Sequence, residues 1–346
     1  MYTAAVLIGR FQPVHTGHLA LLQQALTLAE QVIVILGSAW QARTPKNPFT
    51  WQERADLLRA ALGADAARVA MLPVRDYYDE PRWAQAVQQA VNAALPTATE
   101  APRIALIGHF KDNSSSYLKA FPDWQLLPLP RQDDSDATPI RDAYFGANAD
   151  TLDAVLSALT PPLHPSSGAW LRRFAHSADY AALQEEWQML RAYRASWQAA
   201  PYPPIHVTVD ALLRCQGQVL LIRRGHAPGK GLWALPGGFV EPQDTLWQSC
   251  LRELAEETGC TLTEEQLRAA YRQVRVFDHP GRSLRGRVIT HVYHFDLGDD
   301  IPPPPVQGGD DAAHAQWVAQ DQLSALEDQF HDDHWYILSQ FLGLAE

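Results

Sequence analysis

The first 37 residues constrain the fold most. Ala4–Ile8 is a continuous apolar run, residues 17–30 repeat their apolar positions at helical spacing, and Val32–Gly37 is apolar again. Two strands joined through a helix cannot form a tight hairpin. They lie parallel, with the helix crossing one face of the sheet. Helical periodicity at Trp51–Leu62 and Trp83–Leu95, and another apolar run at Arg103–Gly108, continue the alternation. The expected architecture to about residue 147 is therefore α/β, a doubly wound parallel sheet with helices on both faces.

From Thr151 to Ala200 the pattern is helical, interrupted at Pro161, Pro162 and Pro165. Pro201-Tyr-Pro-Pro204 then stops any helix, because proline has no N–H and restricts the residue before it. This places a first domain at 1–200, with a helical extension over about 148–200, a linker at 201–204 and a second domain at 205–346. In the second domain, 206–214 and 218–223 look like strands, Leu246–Thr258 like a helix, and Asp321–Leu344 like a last helix. With 47% hydrophobic and 19% charged residues in 346, there is material for two cores. No apolar run approaches the roughly 18 residues of a membrane helix, and no basic leader precedes Thr3–Ile8, so the expectation is a cytoplasmic protein with no membrane partner. Cys215, Cys250 and Cys260 are too few and too irregular for a disulfide framework or a zinc site. A net charge of −11 opposes nucleic-acid binding, yet leaves small phosphorylated substrates open if cations gather locally. A homo-oligomer is compatible with all of this.

Gly9-Arg-Phe-Gln-Pro-Val-His15-Thr-Gly-His18 lies between the first strand and the first helix. A loop there offers backbone N–H groups and a helix N-terminus to a phosphate, and two imidazoles three residues apart can donate to the same phosphate chain. Ala137-Thr138-Pro-Ile-Arg141, ahead of a later helix, adds a hydroxyl and a cation suited to distal phosphates.

These two motifs together resemble the nucleotidyltransferase superfamily. Within it, Asn47-Pro-Phe-Thr-Trp-Gln-Glu53-Arg54 and Ile107-Gly-His-Phe-Lys-Asp112-Asn-Ser-Ser are similar to nicotinamide mononucleotide adenylyltransferases of the archaeal-like type. The resemblance implies a Rossmann-like domain and transfer of the adenylyl group of ATP to nicotinamide mononucleotide. It assigns His15, His18, Arg10 and Arg141 to the ATP phosphates, Asn47 to the mononucleotide and Trp83 to stacking on the nicotinamide ring. Gly9, Phe11, Arg54, Asp112 and Thr138 complete its substrate-binding set. Trp83 as an ordinary core residue stays open. Related chains carry Tyr-Asn-Asp where this one has Tyr78-Asp-Glu80, so nicotinate mononucleotide or another acceptor also stays open.

The second constellation is Gly238-Phe-Val-Glu-Pro-Gln-Asp244, seven residues, then Arg252-Glu253-Leu-Ala-Glu256-Glu257-Thr-Gly259. Glu253, Glu256 and Glu257 share one arc of a helix, where like charges repel and divalent cations held by oxygen ligands would offset them. The spacing is identified as a Nudix box, with Asp244 where the pattern has glutamate. The resemblance implies a Nudix α/β/α sandwich with a mixed sheet, glutamates that are both catalytic and ligands of Mg²⁺ or Mn²⁺, and Gly238 and Arg252 around the substrate. Arg252 is expected to orient the glutamates by a salt bridge. The stretch Val276-Phe-Asp-His-Pro-Gly-Arg-Ser-Leu-Arg-Gly-Arg-Val-Ile resembles ADP-ribose pyrophosphatases. A downstream general base could be Asp299, Asp300, Asp310 or Asp311, and NADH or another nucleoside diphosphate remains an alternative substrate. The whole resembles bifunctional bacterial proteins that join these two domains, with ATP, nicotinamide mononucleotide and ADP-ribose as substrates. The remaining alternative for the second half, a ligand-sensing regulator, requires a DNA-reading module, and nothing after residue 310 is basic enough for one.

Overall fold

The computed structural model describes residues 1–95, 101–108, 119–128, 137–160 and 162–344. It divides into two compact units, Met1–Gln184 and Glu185–Glu346.

The first unit is built on β1 (Tyr2–Gly9), β2 (Ala29–Leu36), β3 (Val69–Pro73), β4 (Ile104–Gly108) and β5 (Gln125–Pro128). All pairings are parallel and the order is β3-β2-β1-β4-β5. Helices α1 (Thr16–Leu28), α2 (Trp51–Leu62) and α3 (Glu80–Ala94) are the crossovers. The strands are apolar on both faces because both are covered. Ala5, Leu7, Val32 and Val34 pack with α1 and α2, while Ala4, Val6, Ile33 and Ile35 pack with α3. The strand order reverses between β1 and β4, so the crevice at their carboxyl ends receives the loop that follows Gly9. Asp79, the residue that departs from the related pattern, caps α3 by accepting from Arg82 N–H at 2.8 Å.

Helices α4 (Ala137–Gly146), α5 (Leu152–Ala158), α6 (Pro165–Phe174) and α7 (Ala178–Ser196) follow. The division between units falls inside α7, earlier than the prolines at 201–204, because the helix runs on without a break and its two halves bond to different neighbours. In its first half, Tyr180 Oη donates to Tyr144 O and Gln184 Nε2 to Phe145 O and Ala147 O. In its second half, Glu186 accepts from Gly229 N–H, and Arg194 donates to Leu284 O.

The second unit carries β6 (Ile205–Cys215), β7 (Gln218–Arg224), β8 (Trp233–Ala234), β9 (Gly237–Phe239), α8 (Leu246–Thr258), α9 (Glu264–Ala270), β10 (Tyr271–Phe277), β11 (Arg287–Asp296), β12 (Ala312–Ala319) and α10 (His334–Leu342). Its sheet is mixed, in the order β10-β11-β6-β7-β12, with β6 and β11 parallel and the other pairs antiparallel. Along β6, Leu212 packs with α10, whereas Ala211 and Leu213 pack with α8, so the sheet is sandwiched between helices. The structure corrects the single last helix expected over 321–344. Residues Gln320–Gln329 form 3-10 turns, then Phe330 enters the core and bridges to Trp233, and Asp332 takes a positive φ before α10 begins. The extended backbone at Phe330 and a left-handed aspartate break the helix there.

Burial, reinforced by the Asp332 charge and opposed by the Gly229 N–H and Arg224, pushes the Glu186 carboxyl up to about 7 from an ordinary 4.5. The folded state therefore keeps a proton that the unfolded chain releases. This penalty is absent below about pH 4.5, grows as pH rises, and is complete above about pH 7, reaching about 3 kcal/mol. Glu186→Gln removes the titration and keeps an acceptor for Gly229. Thermal unfolding is expected to show a higher midpoint than wild type at pH 8 and an equal one at pH 4.5; an equal midpoint at both would refute this assignment.

Candidate active sites

In the first unit, the loop after β1 is fixed in place by two buried polar side chains, Gln12 and Arg54. A Cβ on Gly9 would sit 3.0 Å from the Phe11 ring, which would have to give way, and Phe11 is buried with φ of 53°. Gln12 locks this loop to the one before α2, accepting from Phe49 N–H at 3.0 Å and donating to Phe49 O at 2.9 Å. Arg54 is completely buried and gives its guanidinium to Arg10 O, Gly37 O, Ser38 O and Thr50 O. The sequence places Arg54 among substrate contacts. In the fold its donors are spent on four backbone carbonyls, so it shapes the loop and does not reach past it.

His15 is the N-cap of α1, and its N–H donates to His18 Nδ1 at 3.3 Å. The two rings lie 3.7 Å apart, with Phe11 4.7 Å from His18. Burial first, and then His15, hold the His18 imidazole well below its ordinary pKa, so it is neutral. Because Nδ1 accepts, the ring hydrogen sits on Nε2. Arg141 joins the same loop: Nη1 donates to Gln12 O at 2.7 Å and Nη2 to Thr138 Oγ1 at 3.0 Å. Gly9, Phe11, His15, His18, Thr138 and Arg141 are thus one cluster. Arg10 is exposed beside it, close enough to depress the Arg54 pKa.

Asn47 ends a polar relay that spacing did not reveal. Asp76 Oδ2 accepts from Ser38 Oγ at 2.7 Å and Gln41 Nε2 at 3.2 Å; Gln41 Oε1 then accepts from Asn47 Nδ2 at 3.3 Å. A carboxylate can only accept, so the relay has one polarity, and it leaves Asn47 Oδ1 buried with no partner. Trp83 is half-buried, edge-on to Phe121 at 5.8 Å and packed on the α3 side of the core. Asp112 lies outside the described residues.

In the second unit, β9 presents Gly237 and Gly238 to α8. A Cβ on Gly238 would lie 2.6 Å from Glu253 Oε1, and one on Gly237 would collide with Val209 O, so only glycine lets the strand and the carboxylates meet. Glu257 is 3% exposed and accepts from Gly237 N–H at 2.8 Å. Burial, aided by the Glu253 charge, pushes its carboxyl up to about 8. Arg252 is the hub expected of it, reaching Glu256 at 2.8 Å, Glu253 at 3.0 Å and Asp244 at 3.4 Å. The shorter Asp244 carboxylate is long enough for that contact and also accepts from Ser249 Oγ at 3.1 Å.

Arg252 orients Glu253 and Glu256, while Glu257 is held by the Gly237 N–H. Among the described residues, no group of three or more His, Cys, Asp or Glu is gathered as a ready metal cage. The donor set still fits a hard divalent cation. It is all oxygen, and a deeply buried carboxylate beside a second one is costly to ionise without added positive charge. Of the four downstream aspartates, Asp310 is the one whose charge raises Glu253, whereas Asp299 lies by the β6–β7 turn, its carbonyl accepting from Gln216.

Behind the glutamates stands a layer that the sequence reading did not single out. Asp210 is buried, accepts from Thr290 Oγ1, and adds to the field on Glu257; Arg224 opposes it. Arg282 and Asp333 form a buried two-pronged pair at 2.7 and 2.9 Å, and His334 Nδ1 accepts from Leu235 N–H. Arg282 and Arg285 belong to the stretch with the ADP-ribose resemblance, and that was their one signal.

Comparison with known proteins supports both halves. A cytidylyltransferase-like family model matches residues 6–77 and a NUDIX domain model matches 204–341. The chain is 37% identical over 185 residues to a nicotinamide/nicotinic acid mononucleotide adenylyltransferase of Acinetobacter baylyi, covering 53% of this chain and 92% of that one. It is 34% identical over 137 residues to an ADP-ribose pyrophosphatase of Methanocaldococcus jannaschii, covering 39% and 72%. Over 99% of both chains it superposes, with a TM-score of 0.90 and 34% identity, on a bifunctional NMN adenylyltransferase/ADP ribose pyrophosphatase from Francisella tularensis, a protein also solved with AMP and a Mn ion. With a nucleotidyltransferase cluster and a Nudix box in one chain that matches from end to end, the protein belongs to the family of bifunctional NMN adenylyltransferase/ADP-ribose pyrophosphatases.

Proposed function

We propose that the first unit joins ATP to nicotinamide mononucleotide, giving NAD and pyrophosphate, and that the second splits ADP-ribose into AMP and ribose 5-phosphate. The observation that carries this reading is the coexistence of a phosphate cradle after β1 and a buried glutamate cluster under β9.

Adenylyl transfer needs no protein nucleophile. The phosphate of the mononucleotide attacks the α-phosphorus of ATP, and pyrophosphate leaves. The work is alignment of two anions and neutralisation of their charge. His18 donates from Nε2 to a phosphate oxygen, and Arg141 adds a fixed positive charge at the start of α4. Asn47 Oδ1 favours an amide N–H over a carboxylate, which supports the nicotinamide form as acceptor. In the second unit, Mg²⁺ or Mn²⁺ held by Glu253, Glu256 and Glu257 would neutralise the diphosphate and polarise it toward water. Arg252 keeps Glu253 and Glu256 in place, the Gly237 N–H holds Glu257, and Gly238 would let the substrate approach them. The three cysteines are buried and unpaired, which fits the reducing conditions of the cytoplasm.

The direct test is product analysis on the purified chain with Mg²⁺. ATP with nicotinamide mononucleotide should yield NAD, and ADP-ribose alone should yield AMP. Glu257→Gln should lower hydrolysis at least about a hundredfold and spare NAD formation, and His18→Ala should do the reverse. Loss of both activities from either change, in a folded protein, would contradict two separate sites. Arg54→Met leaves four carbonyls without their donor and should cost the first unit about 3 kcal/mol together with most adenylyl transfer. Arg54→Lys should not restore it, since one ammonium cannot serve four carbonyls. Calorimetric unfolding alongside both assays checks this, and full activity in the lysine variant would refute it.

A further inference from the structure

The relay that ends at Asn47 has a direction, and that direction is set at its far end. Ser38 and Gln41 follow β2 and Asp76 follows β3, so the relay crosses the carboxyl ends of parallel strands, where such sheets bind ligands. Asp76 Oδ2 is shared by Ser38 Oγ at 2.7 Å and Gln41 Nε2 at 3.2 Å. Ser38 and Trp40 take positive φ, 51° and 54°, in the turn that brings Gln41 to this carboxylate.

At the other end, the backbone around Asn47 is pinned. Asn47 N–H donates to Thr44 Oγ1 at 3.1 Å, and its carbonyl accepts from Thr44 N–H at 3.3 Å. Arg43 donates to Pro48 O at 2.8 Å, and Phe49 is bonded through both its N–H and its carbonyl to Gln12. The carbonyl of Gln12 accepts from Arg141, so this segment is tied to the loop after β1. One amide oxygen, Asn47 Oδ1, is left buried without a partner among the described residues.

Which amide atom Asn47 leaves unpaired is decided at Asp76. The carboxylate only accepts, so Gln41 must turn Nε2 to it and Oε1 to Asn47. Asn47 must answer with Nδ2, and Oδ1 remains. An amide at position 76 could donate instead. Gln41 and Asn47 could then turn over, leaving Nδ2, a donor suited to a carboxylate.

We propose that Asp76 is a positioning residue that sets acceptor specificity. By fixing the polarity of Gln41 and Asn47, it makes the first unit favour a mononucleotide bearing a primary carboxamide over one bearing a carboxylate. Resting on the adenylyltransferase reading above, this role deepens it by naming the residue that selects the acceptor. Asp79, which stands where related chains have asparagine, is engaged in capping α3, and the carboxamide is left to Asn47.

The test compares kcat/KM for nicotinamide and nicotinate mononucleotides in the full-length chain with ATP and Mg²⁺. Dinucleotide formation by wild type tests the adenylyltransferase reading on its own; product from neither acceptor would overturn that reading and this role with it. Wild type is expected to favour the amide about tenfold or more. Asp76→Asn should bring the two acceptors within about threefold, chiefly by improving the acid. Ser38→Ala loosens Asp76 without changing the polarity, so the wild-type ratio should persist. Asp76→Asn combined with Gln41→Glu moves the carboxylate one step along the relay. There it again only accepts and obliges Asn47 to donate, so the amide preference should return, a rescue that a merely structural role would not show. The Asp76 charge also favours the buried Arg54 cation, so unfolding midpoints accompany every assay. If Asp76→Asn unfolds early, Gln41→Met cuts the relay with that charge intact and should equalise the acceptors likewise. A wild type that prefers the acid, an unchanged ratio in folded Asp76→Asn or Gln41→Met, a shifted ratio in Ser38→Ala, or a double variant without amide preference would overturn the proposal.

Discussion

A charged group placed against the end of an apolar sheet must find its partners in the chain or in a ligand, and each half of this protein is organised around one such group. In the first unit it is Arg54. Its guanidinium is completely buried, and it is affordable only because four carbonyls converge on it. Those carbonyls belong to the turns after β1 and β2 and to the cap of α2. One side chain therefore ties together three segments, of which the loop after β1 carries the proposed phosphate cradle.

The second unit solves the same problem differently. Glu257 has a single backbone donor, Gly237, and a neighbouring carboxylate, so its ionised form is undercompensated within the chain. Arg252 relieves Glu253 and Glu256 and leaves Glu257 as it is. A fully compensated carboxylate would have little reason to take up a cation. On the proposed reading, a cation would offset the charge at Glu257, just as an amide donor would pair with Asn47 Oδ1.

How much of this was legible in the sequence depends on whether each partner was local. The βαβ opening, α2 and α8 follow from apolar periodicity and turn residues, which act within a few residues. The Nudix helix was readable for the same reason: Glu253, Glu256 and Glu257 are one turn apart. Arg54 was read in the right motif with the wrong role, because the carbonyls that claim it come from residues 10, 37, 38 and 50. The Asp76–Gln41 link that anchors the relay to Asn47, and the Asp210–Thr290 and Arg282–Asp333 pairs, join residues 35, 80 and 51 apart. No periodicity encodes such pairings; only the sheet order brings them together. The break at Phe330 was hidden likewise, since its cause is a bridge to Trp233 on a distant strand.

The two chemistries then divide along the sign of the charge that the chain supplies. Adenylyl transfer must hold two anionic substrates at once, and the loop after β1 offers donors and fixed positive charge: His18 Nε2, Arg141 and the exposed Arg10. Hydrolysis of a diphosphate has a neutral attacking water, so the site can be acidic and recruit its positive charge as a cation. On the proposed reading, the acidic net charge of −11 opposes neither task, because the loop after β1 is locally basic and the glutamate cluster would draw in the cations that a diphosphate needs. One chain can act on related phosphate linkages in opposite senses because the protonation and partnering of a few buried groups, and not the overall charge, decide what each site accepts.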